Sequence, residues 1–202
     1  IKAGKHIYNA SPHAPDWPGA KVIEAARANS NSIGVVDAFS EYIPALAHMK
    51  SMVDGGFLGQ ALGGTCHFNI SLFNAPDKRF PYNWFADGGA GVSAVRNNGS
   101  HALYLLTHIF GPVAELVADD SRILKQWVFA DGDAVTPETN DFTNVILKFQ
   151  NGLTMQMQIS WSMPLHDGFL IDVFGAKARL LAKSPTFPTA RDCTLSGGTL
   201  GG

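Results

Sequence analysis

DFTNVILKFQNGLTMQMQISW, residues 141–161, decides the architecture. Val145, Leu147 and Phe149 recur at a spacing of two. Asn151-Gly152 then supplies a turn dipeptide, and Leu153, Met155, Met157 and Ile159 resume the alternation. A period of two sets these side chains on one face of a hairpin, so the sheet has one apolar face to bury against helices. Gln156 and Gln158 lie between them and leave the opposite face polar, available to a partner.

Working outward, Phe169–Phe174 and Arg179–Ala182 flank Gly175-Ala176-Lys177-Ala178 and predict a second strand pair. Val113–Ala118 and Arg122–Phe129 read as further strands, and Ala61–Leu72 opens the strand-rich region. One helix is inserted near Ser100–Phe110, closed by Gly111-Pro112. Another is marked by Ile43, Leu46, Met49, Met52 and Val53, with Pro44 in its first turn and Gly55-Gly56 at its stop.

The first forty residues have a different rhythm. His6–Asn9 is a short strand, residues 12–19 a proline-rich connection, and residues 19–29 a helix with Val22, Ile23 and Ala26 on one side. Ser32–Phe39 is a nearly continuous apolar run, expected to be a strand buried on both faces. Strand, helix and strand in that order form the unit of a parallel sheet. The tail from Ser184, rich in Ser, Thr, Pro and Gly, reads as a mobile loop or a terminus cut short. The expected class is α/β: the end of a doubly wound sheet, then an α+β domain with an open, mainly antiparallel sheet and covering helices. The division falls between residues 1–40 and 41–202.

Composition excludes several functions. With 202 residues, 46% hydrophobic and 16% charged, the chain lacks the signature of disorder. A net charge of −2 gives no basic field for direct nucleic-acid binding. No apolar run approaches the roughly 18–20 residues of a membrane span. Cys66 and Cys193 are not in CxxC spacing, and His6, His13, His48 and His67 lack metal-motif spacing, so no metal site is expected. Ser160 and Ser162 lie outside any G-x-S-x-G elbow. Gly88-Gly89-Ala90-Gly91 follows Trp84-Phe85-Ala86-Asp87 rather than an apolar strand, which argues against a phosphate loop. Ile1-Lys2-Ala3-Gly4-Lys5 carries no Met and no signal-peptide pattern. It reads as the middle of something, and the expected compartment is the cytoplasm.

Six phrases in order now carry a resemblance. Ala3-Gly4-Lys5-His6-Ile7-Tyr8-Asn9-Ala10-Ser11-Pro12 matches a stretch written AGKHV-x-x-EKP, and Ala20–Asn29 with Gly34–Phe39 matches the helix and strand that follow it. Pro44, Lys50, Gly56, Leu58 and Gly59 match a third phrase. Gly88-Gly89-Ala90-Gly91 through Gly99-Ser100-His101 match a fourth. Asp141, Phe149, Asn151 and Gly152 form the fifth, and Val173, Gly175, Ala178 and Leu180 the sixth. Together they resemble the Gfo/Idh/MocA oxidoreductases from Ala3 to about Ala182. The resemblance implies a Rossmann domain binding NAD or NADP, with its glycine-rich loop upstream of Ile1. It also implies a second domain for a small-molecule substrate, whose sheet joins copies into a homodimer or homotetramer. At the EKP positions stand Ala10, Ser11 and Pro12, and at the Asp of the G-x-H-x-x-D motif stands Tyr104.

Hydride exchange at an alcohol carbon needs an acid/base beside the hydroxyl and donors to hold the oxygen. His101, at the start of a helix anchored by Leu103, Leu105 and Leu106, is the candidate acid/base. Its alternative is a capping or core histidine. Tyr104, three residues on and on the same helix face, either replaces the lost acid or packs as a core aromatic. The resemblance sets Ser11 and Pro12 beside the nicotinamide; a serine hydroxyl, unlike lysine, brings no cationic field. Arg96 and Asn97 suit a polar substrate, against an Arg96 paired on the surface. Tyr82, Trp84 and Asp87 form the aromatic-plus-carboxylate set of a sugar site, or else a packing lid. His166 and Asp167, neighbours in a turn, read as a surface or subunit contact. The functions in play are an oxidoreductase of a sugar, polyol or related hydroxy compound, a dinucleotide-binding regulator without turnover, and a sheet-mediated assembly domain.

Overall fold

A computed structural model describes residues 1–201. Its first unit comprises β1 (Ile7–Asn9), α1 (Trp17–Ala28) and β2 (Gly34–Val36), with the two strands paired in parallel. Asp16 starts α1: its Oδ1 accepts from the Gly19 amide at 2.7 Å, and a proline follows in the first turn. The helix thus begins two residues earlier than its apolar spacing predicts. Neither α1 nor β2 buries a residue; Val22 is 69% exposed, and Val35 and Val36 also face solvent. The strand expected to be buried on both faces is an open edge here, because no further strand or helix packs on it within the described residues.

A 3-10 turn, Phe39–Tyr42, leads into α2 (Pro44–Asp54), which buries Leu46 and Met49 and ends at Gly55-Gly56 with Gly56 at φ 75°. The second unit continues with β3 (Ala61–Asn69), the short α3 (Tyr82–Ala86) and α4 (Ser100–Phe110), preceded by a π-helical turn at Val95–Gly99. Next come β4 (Val113–Ser121), β5 (Trp127–Val128), β6 (Ala134–Val135), β7 (Phe142–Phe149) and β8 (Thr154–Ser160). β9 (Phe169–Gly175), β10 (Ala178–Ser184) and β11 (Thr194–Thr199) complete the chain.

Seven strands form one sheet in the order β11-β10-β9-β3-β8-β7-β4, antiparallel except where β3 lies parallel to β8. The hairpin expected at 141–161 is present: Val145 faces Met157, Leu147 faces Met155, and Gly152 turns at φ 89°. Its period-two apolar residues bury with Cys66, Phe68, Ile171, Val173, Leu180 and Ala182 under α2 and α4. At Gly64 an added Cβ would meet the Asp172 carbonyl oxygen at 2.5 Å, which is why glycine stands there.

Two further stretches differ from their sequence reading. Arg122–Phe129 is not a strand throughout; only Trp127 and Val128 pair. The Ile123 and Leu124 amides instead donate to the Asp141 carboxylate at 2.7 and 2.9 Å, so a side chain takes the place of a neighbouring strand. The tail is not loose: β11 pairs with β10 from Thr194 to Thr199. Its Thr, Ser and Gly content hid the strand because no apolar alternation marks it.

Asp141 is almost fully buried, and its own carbonyl accepts from the Ser160 and Ser162 hydroxyls. Asp141→Ala strands two amides and should lower unfolding stability by about 2 kcal/mol or more in urea titrations, whereas Asp141→Asn, which keeps one acceptor, should lose less.

Candidate active site

Ser11 and Pro12 lie between β1 and α1, joined by a cis peptide bond. Three contacts strap this connection to the second unit. Arg96 Nη1 donates to the Pro15 carbonyl at 3.1 Å. Gly91, at φ 73°, lets Pro15 approach so closely that a Cβ there would sit 2.5 Å from Pro15 Cα. Ser11 Oγ lies 2.8 Å from Ser100 Oγ. Ser100 donates its single proton to the Asn97 carbonyl at 2.8 Å, so Ser11 is the donor in that pair. Its lone pairs are left for a ligand.

The strap closes one side of a pocket of about 270 Å³ lined by Ser11, His13, Val36, Asp37, Ala38, Ser40, Ser100, His101 and Tyr104. It opens where β2 ends, at the carboxyl end of a parallel strand, the place where ligands of open α/β sheets bind. Asp37 is fixed there by its amide, which donates to the Asn9 carbonyl at 2.8 Å. Its carboxylate also holds the nearby Tyr8 phenol above its ordinary pKa through a hydrogen bond.

His101 is the half-buried group of the pocket. Its ring lies 5.8 Å from Phe39 and 5.3 Å, edge-on, from Phe187. Burial pushes the imidazole below its usual pKa, and the Asp37 carboxylate only partly opposes this. At neutral pH the ring is therefore uncharged and able to accept a proton. Tyr104, 46% exposed, lines the same pocket from the next turn of α4.

The remaining candidates are placed elsewhere. Pro12 follows Ser11 without lining the pocket. Arg96 is bonded to the strap, and the Asn97 backbone is bonded to Ser93 and Ser100. Tyr82 packs edge-on against Phe129 at 4.8 Å, and Trp84 against Phe85 at 4.8 Å. Asp87 Oδ1 accepts from the Gly89 amide at 2.8 Å and caps a 3-10 turn at Gly88–Ala90. That turn is no phosphate loop. The structure gathers Ser11, His101 and Tyr104, and builds the pocket without the other six. Sequence reasoning missed His13, Asp37, Ser40 and Ser100. A polar residue ending an apolar strand, as Asp37 does, was the available signal. Among the described residues no cluster of three or more His, Cys, Asp or Glu side chains is placed to hold a metal ion.

The sequence model of the GFO/IDH/MocA C-terminal domain matches residues 46–181, more than half of the chain. The chain belongs to the GFO/IDH/MocA family. No curated protein matches it. Among solved structures, an NAD binding oxidoreductase from Klebsiella pneumoniae superposes with a TM-score of 0.78 at 21% identity, over 97% of this chain and 55% of that one. Levoglucosan dehydrogenase, in complex with NADH and L-sorbose, gives 0.80 at 16% identity, over 98% and 56%. The super-repressor mutant of Gal80p from Saccharomyces cerevisiae gives 0.80 at 14%, over 98% and 54%. At these identities the likeness is one of fold. The chain spans about half the length of these solved structures. Ser11 and Tyr104 both line the pocket.

The lowered pKa of His101 makes stability depend on pH. Between its folded value and the ordinary 6.5, the unfolded chain binds a proton that the folded chain refuses, so stability rises with pH across that window and is complete above it. Urea midpoints at about pH 5 and about pH 7 should therefore differ less in His101→Asn than in the parent.

Proposed function

We propose that this chain is the substrate-side part of an NAD(P)-dependent oxidoreductase, exchanging hydride with a sugar, polyol or related hydroxy compound. In this reading residues 1–40 close a Rossmann domain whose glycine-rich loop precedes Ile1, and residues 41–202 bind substrate. The observation that carries it is a neutral, half-buried His101 lining a small pocket together with Ser11 and Tyr104 at the carboxyl end of β2.

A pocket of about 270 Å³ is close to the lower limit, about 300 Å³, of small-molecule sites. It fits one ring, the reactive end of a dinucleotide or the substrate itself, and not a whole cofactor. When bound, NAD(P) supplies the hydride donor or acceptor. The chain's own residues handle the proton. His101 accepts it from the reacting hydroxyl during oxidation and returns it during reduction, while Asp37 favours the imidazolium that forms in between. The Tyr104 phenol holds the substrate oxygen. Ser11, its proton committed to Ser100, accepts from an N–H or O–H of the ligand.

A regulator that binds dinucleotide without turnover is the second reading. It is favoured by Ser11 and Tyr104 at two chemical positions and by the fold shared with Gal80p. NADH or NADPH fluorescence, measured on the chain joined to its dinucleotide-binding half, separates the two. Quenching with turnover, lost by about 100-fold or more in His101→Ala, is expected of the enzyme. Quenching without reduction across a panel of sugars and inositols would identify the regulator, and no binding of either nucleotide would remove both.

The open face of the seven-stranded sheet is proposed to join copies into a homodimer or homotetramer. Val117 and Ile146 stand exposed on it beside the chain of bonds Asn69–Gln158–Asn144. Apolar residues rimmed by polar groups are the composition of a subunit contact. Light scattering should give a mass above that of one copy, and Ile146→Arg should return it to the monomer.

A further inference from the structure

The connection between β10 and β11, residues 185–193, belongs to no strand and lines no part of the His101 pocket, yet it sends one ring into the molecule. Phe187 stands between Pro185 and Pro188, whose fixed φ stiffens the segment. Below it, Thr189 Oγ1 donates to Asp192 Oδ2 at 2.9 Å, the Cys193 amide donates to the Thr189 carbonyl at 3.0 Å, and Cys193 is buried. The segment that follows the aromatic residue is thereby folded into a turn and tied down at Cys193.

The Phe187 ring is 5.3 Å from the His101 imidazole at an interplanar angle of 81°, 5.7 Å from Phe39 at 23°, and 5.0 Å from Phe68 at 68°. Phe68 belongs to the sheet core and is fully buried. A rigid contact therefore runs from the core, through Phe187, to the His101 imidazole.

We propose that Phe187 is a positioning residue for His101, backing the imidazole and shielding it from water so that its free edge is presented to the pocket. The proposal rests on the assignment of His101 as the acid/base. A ring on a loop tip, held by prolines and a turn, sets the orientation of a side chain on a separate helix. The groups that face the imidazole from the elements around it are Asp37 from the end of β2, His13 from the strap, and Tyr104 from its own helix. None is removed when Phe187 is changed, so a shift in His101 reports the ring alone.

The test follows the histidine ring protons of the chain by NMR through a pH titration, with the His101 signal assigned from its loss in His101→Asn. Phe187→Ala should raise the His101 midpoint toward the ordinary value by at least about 0.5, a roughly threefold change in its protonation ratio. Phe187→Leu, which keeps apolar bulk, should move it the same way by less and remains readable if the alanine variant fails to fold. Phe169→Leu, which alters a core ring in contact with Phe68 but not with His101, should lower stability and leave the midpoint in place. An unchanged midpoint in the folded Phe187 variants overturns the proposal, as does an equal shift in Phe169→Leu. Because titration needs no turnover, the result is separate from the fate of the acid/base assignment, which falls only if His101→Ala retains full activity.

Discussion

The pocket exists because one stretch of backbone is pressed against another. Pro15 packs over Gly91 at a distance no side chain at position 91 would permit, and Arg96 grips the adjacent carbonyl. That contact fixes the strap, the strap fixes Ser11, and Ser11 meets Ser100 one residue before His101. Residues from two units are thus brought to one place by the absence of a Cβ. The polar bonds then orient what the close approach has positioned. A neutral bond between two hydroxyls is worth only about 1 kcal/mol, too little to hold two units together by itself.

The sheet supplies the rigid floor. Its buried face is continuous from β10 to β7, and α4 lies on that face with Leu105, Leu106 and Ile109 turned inward. Ser100, His101 and Tyr104 consequently occupy the face turned away from the sheet. Asp141 matters at the other end of the same hairpin, where its carboxylate replaces a strand that is not there. The aromatic cluster of Phe73, Trp127, Trp161 and Phe85, with Phe73 stacked on Trp127 at 3.7 Å, absorbs the segment that also carries Tyr82 and Trp84. Tyr82 packs against that core, whereas Trp84 stays 44% exposed beside Phe85.

Periodicity made the fold legible. The hairpin at 141–161, the strand pair after it, and the helices near residues 44–54 and 100–110 lie where apolar spacing and glycine stops put them, because each buries one face against a neighbour in the same chain. Legibility failed where the neighbour is a side chain or nothing at all. Ile123 and Leu124 are apolar and extended, yet their amides go to a carboxylate far along the sequence. Val35 and Val36 have the composition of a buried strand, but no element packs on them here. β11 has no alternation because two glycines interrupt it, and a Cβ at Gly197 would press on the Leu180 side chain. At the site, His101 and Tyr104 were visible through helix spacing and Ser11 through its motif. Ser100 was not, since it meets Ser11 only when the strap docks, and Asp37 carried only the signal of a polar residue ending an apolar strand.

The position of β3 has a kinetic consequence. It lies between β8 and β9, although its partner residues in β8, such as Gly64 and Met155, are about ninety residues apart in the chain. Hairpins β7–β8 and β9–β10 each close locally and quickly. Joining them requires a strand from far upstream to enter between, in parallel on one side and antiparallel on the other. Loop closure of that length is slow to reward, so pairing of β3 is expected to lag the two hairpins and to leave the β8 and β9 edges bare meanwhile. During that interval the β8 and β9 edges are the surfaces open to pairing with another chain, and the entry of β3 is the event that removes them.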